Sequence, residues 1–504
     1  MDQSNFNQPA AYAFPPPKPP VSFSTGKGEL AFAAWIIVFS MLLINCLFFA
    51  GPGLGFALAV LGLLGGTCFY LVRRGHRFGW YETTLLALCG IIAAGFIRSD
   101  DGGMKFLMVL LLLAVPSLGF AIAAGQNRWR PGGVLSLLDS PRVAFGLGVG
   151  CLCEMGRGIR DAFRSAGTLG KKTGAVALGL LAAVPVVAIM VGLLMSADAA
   201  FEGLLDLLPE FEVEEALTTA ILGVVLGVVL YTRGVALHHN PKSNAAPWTP
   251  KGFHPLTVNT ILFAAAAVYL VYLASQLAYF VGGFSGILPE DFTLAEYARR
   301  GFFEMSELCA INLALMGCGV GLTRKREGKT PLATRIVCLF IGLITLFLVA
   351  AASAKMLLYI GSYGLTVARV LTEVFMLWLA VTTVVVCVWL FRPQLAYMKA
   401  SLILGLALCA ALFWADVDAQ VGRYNVRAYQ HGRLETVDVD YLQSLDSGVV
   451  PWLEELTHDS DARVARKARI ALQNYNLYPA DDIRGWNHTA ARAEEILEEY
   501  QSEQ

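Results

Sequence analysis

Apolar runs long enough to cross a bilayer recur along this chain, and no other feature constrains its fold as strongly. A helical span needs about twenty predominantly apolar residues. Eleven such runs are legible, at 30–50, 54–72, 81–97, 104–124, 173–195, 216–235, 256–281, 302–322, 336–356, 370–390 and 398–414. Inside lipid every backbone N–H and C=O must find a partner within the span, so runs of this length read as helices. The 504 residues are 56% hydrophobic and only 15% charged, well outside the soluble average. The expected fold is therefore all-α: a polytopic transmembrane helical bundle of about eleven spans with a small C-terminal extracytoplasmic helical domain.

Charge sets the expected orientation. Basic residues gather in alternate loops: Arg73, Arg74 and Arg77; Arg128, Arg130, Arg142, Arg157, Arg160, Arg164, Lys171 and Lys172; Arg233, Lys242 and Lys251; Arg324, Lys325, Arg326 and Lys329; Arg392 and Lys399. The intervening loops are poor in Lys and Arg, and loop 196–215 is acidic. The positive-inside rule then places the N-terminus in the cytoplasm and the C-terminus on the opposite face. Three regions follow: a Pro-rich disordered cytoplasmic tail at 1–28, a transmembrane helical domain at 29–414, and an extracytoplasmic helical, HEAT-like tail at 415–504. Within the second region a long cytoplasmic loop occupies 125–172, and its apolar stretch VLSLLDSPRVAFGLGVG is expected to lie along the membrane or re-enter it.

The tail turns polar after Asp416. Val449, Val450, Leu453 and Leu456 form one apolar stripe, and Val464, Ala468, Ala471 and Leu472 a second, as two packed amphipathic helices require. A last helix over 490–500, with Trp486, would complete the cap. Gly223 and Gly227 in the sixth run permit close helix contact of the GxxxG kind.

Chemistry-bearing motifs are scarce. Eight of the ten cysteines lie in apolar runs, where a free thiol acts as a small hydrophobe. Cys151 and Cys153 have no second pair at metal-ligand spacing. His238, His239, His458 and His488 read as isolated. No HExxH, GxSxG or DxD arrangement places a nucleophile beside a base, so no catalytic residue, metal or cofactor is expected. Nucleic acid is not an expected partner: the longest basic cluster, 324–329, adjoins a span and reads as a topology signal.

One polar constellation stands out near the outer membrane surface. Gln276 and Tyr279 end the seventh run, Tyr297, Arg300, Glu304 and Glu307 recur at helical spacing into the eighth, and Lys355, Tyr359, Tyr363, Arg369 and Glu373 surround the GSYG of the ninth and tenth. Arg300 with Glu304, and Arg369 with Glu373, stand four apart, where neighbouring helix side chains meet. Ionisable residues at membrane depth are costly unless paired or hydrated. The set reads either as an ion network tying helices together or as a site for a solute, ion or lipid headgroup, with GSYG interrupting a helix in the manner of transporters.

The segments SADAAFEGLL, AEYARRGFFEM, LYIGSYGLTVARV, YNVRAYQHGRLETVDVDYLQSL and RGWNHTAARA, in that order from about Ser196 onward, make the chain resemble the bacterial polytopic membrane proteins of the domain-of-unknown-function 4153 and 4173 type. The resemblance implies a multi-pass protein of the bacterial inner membrane and carries no established activity. Two functions are expected from the residues: a non-enzymatic scaffold or sensor-like module contacting membrane lipids and another membrane or periplasmic protein, or a transporter or channel using the polar constellation. An intramembrane enzyme is the least favoured class, since no acid, base or nucleophile is positioned.

Overall fold

The computed structural model describes residues 27–129, 134–153, 213–239, 252–284, 302–324, 330–477 and 482–502, with isolated positions between them. Ten apolar helices dominate: α1 Lys27–Asn45, continued by a π turn Cys46–Ala50; α2 Leu54–Arg73; α3 Trp80–Gly95; α4 Gly102–Ala123; α5 Val213–His239; α6 Pro255–Phe284; α7 Phe302–Leu322; α8 Leu332–Tyr363; α9 Val367–Phe391; and α10 Tyr397–Ala415. Five tail helices follow: α11 Val417–Gln430, α12 Val439–Gln443, α13 Val450–Leu456, α14 Ala462–Gln473 and α15 His488–Ser502. Among the described residues the only extended pairing is an isolated bridge between Phe253 and Thr323.

Nine helices among the described residues are long and apolar enough to cross a membrane, namely α1, α2 and α4–α10. α3 has the same apolar character over 16 residues, about 24 Å, short of a ~30 Å core. The expected run at 173–195 lies outside the described residues, as does most of loop 196–215. α8 differs most from its expected run of 336–356, for its 32 residues continue to Tyr363. That is about 48 Å of helix, longer than a ~30 Å hydrocarbon core is thick. The GSYG does not interrupt this helix. It ends it at Gly364, whose φ of +76° is open to glycine at little cost.

Two glycines decide one close approach. A Cβ on Gly223 would lie 2.7 Å from Met41 Cα, and one on Gly227 2.9 Å from Ile37 Cα. α1 and α5 thus touch backbone to backbone, a packing that GxxxG spacing provides without a hydrophobic driving force. The first turn of α1 is tied to the end of α2 by Glu29, which is buried and accepts from the Tyr70 hydroxyl at 3.1 Å and from Arg74. Nearby, His76 Nε2 and His238 Nδ1 are 3.1 Å apart. His238 is therefore not isolated: it ends α5 rather than lying in a loop, and the α2–α3 turn meets it.

The stretch 134–150 forms short helical turns that pack back onto the bundle. Ser140 donates to the Ala114 carbonyl in the middle of α4, and a Cβ on Gly148 would meet Val229 at 2.8 Å. Asp139, fully buried, accepts from the Arg128 and Trp129 N–H groups and from Arg142. That carboxylate turns the chain back after α4.

Both apolar stripes of the tail enter one core, which joins Val426, Leu442, Val449, Leu453, Leu456, Ala468, Leu472, Ala493 and Leu497. All of its attachments to the apolar helices described below fall at one end of the bundle, the end opposite the basic turns at 73–79, 124–128 and 392–396.

Candidate functional site

The polar constellation divides. Tyr297 and Arg300 lie outside the described residues. Gln276 and Tyr279 belong to the last turns of α6 and Glu304 to the first turn of α7, with side chains outside the described set. Glu307 is exposed on α7, and Lys355 is half-buried on α8. Arg369 does not face Glu373. Its guanidinium bonds the carbonyls of Tyr363 and Gly364 and lies 4.2 Å from the Tyr359 ring, which packs against the Tyr363 ring with centroids 5.0 Å apart. The physical reason is the end of α8: its last carbonyls carry partial negative charge and lack helical partners, and they attract the cation. Glu373 instead lies beside Ser353 of α8, and its Oε1 is buried with no donor among the described residues.

The densest polar chemistry lies one layer further out, where the tail meets the ends of the spans. Leu54 and Gly55, the first amides of α2, donate to the carbonyls of Trp486 and Arg484 at 2.9 and 2.7 Å. After α3, the Ile97 carbonyl accepts from His488 N–H at 2.8 Å, and the Arg98 carbonyl from Thr489 N–H and Oγ1. The first amide of α4, Gly102, donates to Asp446 at 2.8 Å, and that of α9, Val367, to the Tyr441 hydroxyl at 3.0 Å. Asn425 grips both backbone groups of Leu365, at 2.7 and 2.8 Å. Helix ends leave unmade backbone bonds, and the tail satisfies them at four helices. A further tie joins α1, α5 and the tail: Arg484 reaches Asn45 at 2.5 Å and Glu215 at 2.7 Å, while Asn45 donates to Glu215 at 2.7 Å.

Two clefts open beside this seam. One, of about 590 Å³, is lined by Arg98, Arg427, Arg492, His458 and Trp452 together with Asp416, Glu454 and Glu455. The second, of about 340 Å³, lies between Leu365 and the exposed face of α11. It is lined by Arg423, Arg427 and Arg433, with no carboxylate in its wall. α11 is amphipathic: Val421, Asn425, Val426 and Ala428 are buried while Arg423 and Arg427 turn outward.

Five aspartates gather at the same joint, of which Asp416 lines the first cleft and Asp446 is exposed. Asp100 is engaged by Lys105 at 2.9 Å, Asn487 at 3.0 Å and Ser447 at 2.7 Å. Asp416, in the left-handed region at φ +57°, caps α11 at Ala419 and accepts from Thr489 at 2.7 Å. Asp101, Asp418 and Asp446 present carboxylate oxygens all within 4.8 Å of one another. Burial pushes the Asp101 carboxyl upward, helped by Asp446 and Asp416. Burial, then the Asp101 charge, pushes Asp418 up to about 7. Like charges crowded away from water disfavour ionisation.

None of these aspartates stands in the expected constellation. The signals were present as SDDGG after α3, DVD at 416–418 and LDSG before α13. DVD is a DxD spacing, and its second carboxylate, Asp418, meets those of Asp101 and Asp446. One partner, Asp101, stands more than 300 positions earlier in the chain and the other, Asp446, follows after another helix has been turned, a proximity no local spacing reveals.

The sequence model of one family, described as a domain of unknown function (DUF4153), matches residues 83–456. No curated protein and no solved structure matches the chain.

Proposed function

The chain belongs to that family, whose matched stretch runs from α3 to the last residue of α13, and we propose that it serves as a non-enzymatic, sensor-like membrane module that binds an anionic partner on its tail. The observation that carries this reading is the small cleft beside Leu365. Three arginines and no carboxylate line it, so it attracts negative charge, and guanidinium forks match phosphate or carboxylate groups. Leu365 also forms the turn between α8 and α9 that Asn425 holds. A group seated on Arg423, Arg427 and Arg433 therefore touches the tail and two spans at once. The shared chemistry fits an anionic lipid headgroup and an acidic segment of a membrane or periplasmic protein alike.

The positive-inside pattern supports a bacterial inner-membrane protein with a cytoplasmic N-terminus and a tail on the outer face. In that setting the cleft opens at the outer surface. A transporter reading draws on one observation, the donorless Glu373 Oε1 beside Ser353. A single orphaned oxygen is weaker support than a cleft with three convergent cations.

The test is affinity purification of the full chain from gently solubilised membranes, with mass spectrometry of bound protein and lipid. The expected result is one enriched anionic lipid or acidic protein that is lost from the Arg423→Gln/Arg433→Gln variant. Recovery of the wild-type chain alone, as a monomer, would overturn the proposal.

A further inference from the structure

We infer that Asp101, Asp418 and Asp446 together bind one hard divalent cation, Ca²⁺ foremost, at the joint between the α3–α4 loop and the tail. The site is separate from the arginine-lined cleft and does not rest on the anionic-partner reading.

Geometry comes first. Oxygens bound to one Ca²⁺ sit about 2.4 Å from it, so two ligands on opposite sides lie about 4.8 Å apart. The three carboxylates place an oxygen each within 4.8 Å of the other two, a spacing that admits a single ion between them. All three are already oriented by the backbone. Asp101 Oδ1 accepts from Met104 N–H at 2.8 Å, Asp418 Oδ2 from Asp446 N–H at 2.9 Å, and Asp446 Oδ2 from Gly102 N–H at 2.8 Å. These bonds hold the remaining oxygens in place, as a ligand shell requires.

The second observation points to a ligand directly. Asp101 is 5% exposed, and its Oδ2 is buried with no hydrogen-bond donor among the described residues. A buried carboxylate oxygen left dry costs free energy on the scale of a lost charged hydrogen bond, and native structures seldom tolerate it without an ion or a water. The Lys105 ammonium, four residues along the chain, is engaged by Asp100. With carboxylate oxygens alone in the set, a hard cation is favoured over zinc or copper, which select imidazole and thiolate.

The donors come from three places: the loop between α3 and α4, the first turn of α11, and the turn before α13. An ion there fastens the tail onto the bundle, and its removal leaves mutually repelling carboxylates at the same joint.

The test uses the full-length protein in detergent, stripped with EGTA and then titrated with CaCl₂ against NaCl of matched ionic strength. A saturable rise in Tm of a few degrees is expected, with a midpoint on the order of 0.1–1 mM as in extracellular calcium sites. Asp101→Asn and Asp418→Asn should each raise the calcium-free Tm, by relieving repulsion, and abolish the calcium response. Should either variant fail to fold, equilibrium dialysis of the wild-type chain against ⁴⁵Ca²⁺ supplies the answer, with about one ion per chain expected. An unsaturable response shared with NaCl, the absence of bound ⁴⁵Ca²⁺, or an undiminished calcium response in the Asp101→Asn/Asp418→Asn variant would each overturn the proposal. Loss of the anionic partner in the Arg423→Gln/Arg433→Gln variant leaves the calcium titration unchanged, so the two readings fail separately.

Discussion

Replacing Asn425 by alanine probes the grip of the tail on the spans most directly. Its amide donates to the Leu365 carbonyl at 2.8 Å and accepts from the Leu365 N–H at 2.7 Å, and the residue is only 7% exposed. Alanine removes both bonds and leaves a void one amide wide. Each intramolecular hydrogen bond is worth about 1 kcal/mol net, and a backbone group stranded without water costs about 1–3 kcal/mol. Leu365 is half-buried, so water recovers part of the second cost, and a total of about 2–3 kcal/mol is expected. Because the tail docks at one end of the bundle, this loss falls on local opening rather than on the spans. Hydrogen exchange in detergent reads it: amides of 364–367 and of α11 should exchange roughly 30- to 140-fold faster, since about 1.4 kcal/mol is a factor of ten. Amides in the middle of α8 and α9 should not change. A change below about threefold in α11, or equal acceleration in mid-span, would refute the idea that Asn425 holds a separable joint.

The other expectations concern neighbouring joints. Gly364→Ala meets both a φ of +76° and a Cβ that would lie 2.6 Å from Asn425 Oδ1, so it should loosen the same turn by about 1–3 kcal/mol, seen as faster exchange at 364–367. Gly227→Leu drives a side chain into the Ile37 backbone and should cost about 1–3 kcal/mol or more by overpacking, read as a lower Tm and as loss of a disulfide otherwise formed between cysteines engineered into α1 and α5. Arg484→Met removes the tie to Asn45 and Glu215. At 36% exposure its charge is partly screened, so about 1 kcal/mol is expected, measured as increased proteolysis near 482–486. Reporters fused before Met1 and after Gln504 should lie on opposite membrane faces, and signals from the same face would remove the orientation on which the proposed function stands.

Much of the bundle was legible because its causes are local. Twenty apolar residues in lipid leave helix as the backbone's main solution, and 302–322 is the observed α7. Gly223 and Gly227 marked a close helix contact from spacing alone, although not that α1 would be its partner. The tail's stripes could be read for the same reason, since Val449, Leu453, Ala468 and Leu472 repeat at the period of a helix that buries one face. The expected ion pair of Arg369 with Glu373 failed because local spacing was outweighed by the carbonyls at the end of α8, which the guanidinium reaches from the following helix.

What the amino-acid order determined by itself is therefore the apolar helices of the described residues and the faces that the tail helices bury. Tertiary structure alone decided that the tail would satisfy the unmade backbone bonds at the ends of α2, α3, α4 and α9, and that Asp101 would meet Asp418 and Asp446. Periodicity reports what lies one helical turn away, whereas hydrogen-bond donors and charges act over a few ångströms of space regardless of the length of chain between them.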